Sequence, residues 1–190
     1  MQTHLTDQSR KFTKHLEDLL RRPVMNYDRS KLSEKVTAIK IDTVNRVQDL
    51  NTRSFFDYNI FPKNILTHLT QWKYENREMK VGDTILQQTF LPPLRSLSLK
   101  VLFGVRISEV IRETSRVGFS YETLEGHVER GISTFTIEDQ EDGKPIFKIH
   151  TFSRPGNFLT SLAGPIFSVP YQTFCTRQGL LNVKRQLEQV

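Results

Sequence analysis

At 190 residues, with 37% hydrophobic and 25% charged side chains, the chain is long enough for one ordinary core and too balanced in composition to be disordered or fibrous. Its single cysteine, Cys175, excludes an internal disulfide and a thiolate metal cluster, and its charged first twenty residues lack a signal-peptide core, so a cytoplasmic location is expected. The net charge of +6 comes from the ends: residues 1–35 hold 8 basic and 5 acidic side chains, 154–190 hold 4 and 1, and 36–153 hold 15 of each, which argues against a nucleic-acid-binding stripe.

From His4 to Arg22, Leu5, Phe12, Leu16, Leu19 and Leu20 fall on one stripe of an amphipathic helix that Pro23 stops. Residues 1–22 are therefore expected to be a helix packed on the domain, with 23–190 forming one α+β domain. Val36 to Val47 alternates well enough for one or two strands. Phe55 to Trp72 carries Phe55, Phe56, Ile60, Phe61, Ile65, Leu66, Leu69 and Trp72 in a helical pattern broken at Pro62, which predicts a helical pair or a kinked helix. After Gly82 the period changes to two and stays so for about seventy residues. Strands are expected over Thr84–Phe90, Leu97–Glu113, Arg116–Leu124, Ile132–Glu138 and Ile146–Ser153, with Asp142-Gly143 as a hairpin signal. Short connections imply an antiparallel meander of four or five strands. Asn157 to Val190 is helical again, with Asn157 as a cap and Pro165 and Pro170 as kinks. No window approaches the roughly 18 apolar residues of a membrane helix.

This order, strands forming a curved antiparallel sheet packed against a long C-terminal helix, resembles the helix-grip arrangement of the START and Bet v 1-like superfamily. The run Gly118-Phe119-Ser120-Tyr121-Glu122-Thr123-Leu124-Glu125-Gly126-His127-Val128-Glu129-Arg130-Gly131 is followed by Phe152-Ser153-Arg154-Pro155, Ala163-Gly164-Pro165 and Tyr171-Gln172. With Asn26-Tyr27-Asp28 and the Leu69–Trp72 block, these residues resemble the bacterial family catalogued as domain of unknown function 1990, over roughly residues 26 to 175. The chain departs from that pattern at Glu122, Glu125, Val128 and Ile132. The resemblance implies an architecture and a set of residues, and no reaction.

The 13 Phe either fill a core or line an apolar cavity. The expected function is binding of a hydrophobic or lipid-like small molecule in a cleft between sheet and C-terminal helix, with Tyr121, Thr123, His127, Arg154 and, by the family resemblance, Gln172 as contacts. The alternative is an enzyme, a hydrolase, lyase or cyclase acting on a hydrophobic substrate. There His127 serves as acid or base, Glu129 orients it and raises its pKa, and Arg154 holds an anion. A structural role competes at each position: His127 tying a tight turn, Arg154 pairing with Glu129, Cys175 as an inert buried thiol. Scattered histidines predict no metal site, and Gly126 and Gly131 lack the strand-to-helix context of a nucleotide loop, so no cofactor is expected. The expected partner is a small molecule, with no nucleic acid and no membrane span; the residues leave the oligomeric state open.

Overall fold

The computed structural model describes residues 2–92, 98–155 and 169–189, with side chains for all of these except 155 and 169–172. In chain order the elements are β1 (Gln2–His4), α1 (Phe12–Leu20), β2 (Ser33–Lys40), α2 (Arg53–Phe56), β3 (Leu66–Thr70), α3 (Gln71–Tyr74), β4 (Thr84–Leu91), β5 (Leu99–Arg112), β6 (Arg116–Thr123), β7 (Glu129–Asp139), β8 (Pro145–Pro155) and α4 (Val169–Glu188). The strands form one antiparallel sheet in the order β2-β8-β7-β6-β5-β4-β3, with β1 beside the first part of β5. The arrangement is the expected one, a curved antiparallel sheet packed against a long C-terminal helix.

The period-two stretch folds as read because its alternation sorts side chains cleanly between two faces. Val105, Ile107, Phe119, Phe135, Ile137, Phe147 and Ile149 all turn inward and are buried in one core with α2 and α4. A bulge between Ile107 and Glu109 shifts the β5–β6 register, an irregularity that bends a strand and increases its local twist. At the β7–β8 hairpin, Gly143 takes φ 77° and its N–H bonds Gln140 O at 2.8 Å, as the Asp142-Gly143 signal requires. The C-terminal helix is stitched to the segment after α2: Asn182 donates to the carbonyls of Asn59 and Ile60 at 3.0 and 3.1 Å, and Gln186 donates to Asn59 O at 2.8 Å.

The outer face is covered differently. Phe12, Leu16 and Leu19 of α1 pack on Leu86, Leu102 and Leu124, burial that contributes about 1.5–3 kcal/mol per side chain. The helix is shorter than its sequence suggests, because His4 enters β1 while Leu5 is left 83% exposed.

Two further expectations need correcting. The stretch from Phe55 to Trp72 is not a helical pair: Ile65 and Leu66 bond back to Pro62 O, and Leu66–Thr70 then pairs with β4. Apolar spacing there serves a turn followed by a strand equally well, and pairing with β4 decides between them. The meander therefore has six strands, β3 to β8. Asn157, Ala163, Gly164 and Pro165 lie outside the described residues, and Pro170 falls in the opening turn of α4.

Candidate functional site in the concave face

Two neighbouring rows of the inner face set the site. Phe119 pairs across the sheet with Phe135, and Phe135 with Ile149, an apolar row; two residues along the strands, Tyr121 pairs with Ser133 and Ser133 with Thr151. The second row is a line of hydroxyls. Ser133 and Thr151 lie 3.1 Å apart, and the Tyr121 hydroxyl is bonded among Tyr58, Ser133 and Gln87. Gln87, 2% exposed on β4, donates its amide N–H to the Tyr58 hydroxyl at 2.6 Å.

Tyr58 anchors this network from the other side. It is buried, and its φ of 63° puts a bulky residue in the left-handed region, a conformation that costs about 1–3 kcal/mol and persists where the surroundings impose it. Its ring packs against Phe119, Tyr121, Phe135 and His68. Burial raises the pKa of both Tyr58 and Tyr121, so both hydroxyls stay protonated.

His127 is placed by the turn before β7. Gly126 takes φ 85° and His127 N–H closes the turn on Leu124 O at 3.0 Å, a backbone conformation that favours glycine. The imidazole Nδ1 lies 2.9 Å from both the backbone N and the backbone O of Glu129, so the ring is tied to the Glu129 main chain. The ring stands edge-on to Phe103, with centroids 4.4 Å apart. Burial pushes His127 down to about 4 and raises the Glu129 carboxyl. The expected carboxylate-raised imidazole is thus replaced by a neutral ring tied to backbone, because desolvation outweighs any neighbouring charge.

These groups border an open cavity of about 150 Å³ whose walls include Tyr58, Phe61, Phe103, Tyr121, His127 and Glu129, with Cys175 of α4 on the helix side. Of the residues expected from the sequence, the structure brings together Tyr121, His127 and Glu129. Thr123 is used within the sheet: its hydroxyl accepts from Gly131 N–H at 3.1 Å. Arg154 pairs in register with Arg130 and, by the alternation that turns Phe147 and Ile149 inward, stands on the outer face; hydrogen bonds from Ser30 lower the pKa of Asp28 there, and the Arg154 charge adds the smallest part of that lowering. It joins neither Glu129 nor the cavity. The side chain of Gln172 lies outside the described residues. Sequence reasoning missed Tyr58, Gln87 and Ser133. A visible signal existed for Gln87: Gln87-Gln88 sits between Ile85-Leu86 and Phe90-Leu91 in β4, and both glutamines are buried.

Among the described residues no group of three or more His, Cys, Asp or Glu could hold a metal ion, and no helix is long and apolar enough to cross a membrane.

Residues 46–180 match the family described as Domain of unknown function (DUF1990). The chain belongs to that family. A UPF0548 protein of Deinococcus radiodurans is 35% identical over 93 residues, a match covering 49% of this chain and 44% of that relative, so the chain spans less than half the relative's length. Solved structures share the fold at low identity. A hypothetical protein of Helicobacter pylori is 12% identical with a TM-score of 0.50, covering 85% of this chain and 94% of its own. A protein of Chromobacterium violaceum is 13% identical with a TM-score of 0.50, covering 83% and 98%. The major latex-like protein 151 of Panax ginseng is 13% identical with a TM-score of 0.50, covering 82% and 97%. At such identities the likeness shows the fold alone. All residues bordering the cavity fall inside the DUF1990 segment, whereas α1 on the outer face precedes it.

Proposed function

We propose that the cavity between the hydroxyl row and α4 binds a small molecule with an apolar body about the size of a single ring and one hydrogen-bonding head. The observation that carries this reading is a cavity of about 150 Å³ bordered by aromatic rings, the Gln87 amide, two tyrosine hydroxyls and an imidazole that burial keeps neutral. A volume near 150 Å³ is on the scale of benzene and below the roughly 300–1,000 Å³ of sites for drug-sized ligands. Phe119, Phe135 and Ile149 fill the neighbouring stretch of the inner face, which favours a compact guest over a long lipid chain. The amide of Gln87, the hydroxyl of Tyr121 and neutral His127 suit a hydroxyl, amide or carbonyl head. The imidazole, anchored through Nδ1 and held neutral to about 4, supports binding over acid–base chemistry at neutral pH.

Titration of the full chain with phenol, benzamide and cyclohexanol, followed by NMR, tests the reading. Saturable shifts at Tyr58, Tyr121 and His127 are expected, weakened in Tyr121→Phe and abolished in Val128→Phe, which fills the space. Absence of saturable shifts with all three, in a folded protein, contradicts it.

A further inference from the structure

We infer that the chain carries a second ligand site, at the opposite end of β5 from the cleft, that takes a small organic anion with a phosphate or carboxylate head and an apolar body. A groove of about 600 Å³ is bordered there by Leu50, Arg53, Phe56, Trp72, Met79 and Arg112, among others, and shares no residue with the cleft. Leu50, Phe56, Trp72 and Met79 are buried side chains of the core, so the apolar floor is rigid.

The charges around this floor are unequally committed. Arg77 holds Asp83 through both guanidinium nitrogens, at 2.7 and 2.6 Å, and also bonds Glu75; it is neutralised and frames the wall. Asp57 is paired with Lys73 at 3.5 Å. Arg112 is different: its guanidinium lies 4.4 Å from the Phe56 ring centroid, which fixes its plane, while its acidic partner is Glu78, 3.2 Å away and 86% exposed. So exposed a pair is worth little, and a better-placed anion displaces it. Arg53, at the start of α2, has no acidic partner among the described residues. Two arginines thus border a groove in which Asp57 is held by Lys73 and Glu78 only by the exposed pair with Arg112, and planar guanidinium is well matched to phosphate or carboxylate oxygens. Trp72 adds a buried indole N–H with no acceptor among the described residues, a donor of the kind that a bound group or water satisfies.

Phenyl phosphate, compared with inorganic phosphate and phenol, tests the site by NMR titration of the full chain. Phenyl phosphate is expected to shift the Trp72 indole and the Phe56 and Arg112 resonances, to bind more tightly than either half alone, and to weaken as salt is raised. Removing both cations in Arg53→Gln/Arg112→Gln weakens it about tenfold or more. Glu78→Gln, at an exposed position that folding does not depend on, removes a competing carboxylate and tightens it, and Tyr121→Phe in the cleft leaves it unchanged. Shifts confined to the cleft, no shifts at millimolar phenyl phosphate, an unaltered affinity in the folded double variant, or inorganic phosphate binding as tightly would overturn the inference. Should the double variant not fold, Glu78→Gln decides alone, and an unchanged or weaker affinity counts against the site.

Discussion

The two rows of the inner face lie on the same strands, two residues apart along each, and meet the same helix layer, yet they serve different ends. Phe119, Phe135 and Ile149 form the closed row, where Phe119 and Phe135 stack with centroids 5.2 Å apart and Phe55 packs on both Phe119 and Phe147. Tyr121, Ser133 and Thr151 form the open row, where hydroxyls bond one another and a cavity remains. The difference teaches where stability and function separate: rings without polar atoms interdigitate fully, whereas buried hydroxyls must first be satisfied and leave shape to a guest.

Substitutions can break that comparison in order of expected effect. Phe119→Ala, in the closed row, should cost about 3–5 kcal/mol of unfolding free energy in a urea titration. Gly131→Ala should come next, at roughly 1–3 kcal/mol, because a Cβ there would sit 1.9 Å from Phe152 O on a residue with φ 152°. Acid should act through two buried histidines, His127 beside the cavity and His68 packed on Tyr58. His68 and His127 both fall from 6.5 to about 4 on folding, so the unfolded chain takes up protons first as pH drops. Stability present above 6.5 is then lost between 6.5 and 4, on the order of 1–2 kcal/mol per ring once partial exposure is allowed for. A glutamine at either position should flatten that part of the pH–stability curve, and an unchanged slope would show the ring is solvated. Tyr121→Phe should move stability by less than about 1 kcal/mol while weakening the cleft's ligand. Arg154→Ala, on the outer face, should change neither by a measurable amount; a loss of cleft binding would mean that Arg154 reaches the guest after all.

Much of the fold was legible because side chains alternate with period two along β5 to β8, a pattern that no helix satisfies. Leu66–Thr70 was not legible, since its spacing fits a helix until β4 pairs with it. The site was half legible. Tyr121, His127 and Glu129 lie within one short run, so a turn at Gly126 suffices to gather them. Tyr58 and Gln87 come from elsewhere, and only sheet register and an unusual φ bring them to Tyr121. Arg154 was misplaced because facing direction depends on strand parity, and the FSRP run alone does not reveal parity.

The most direct test of a guest in the open row is a set of intermolecular NOEs from bound phenol to the side chains of the full chain. Contacts from the ligand ring to Phe103 and Tyr121, with none to Phe135 or Phe147, are the result expected here. Bound phenol giving NOEs only to Phe56 and Trp72, or to none of these rings, would contradict it.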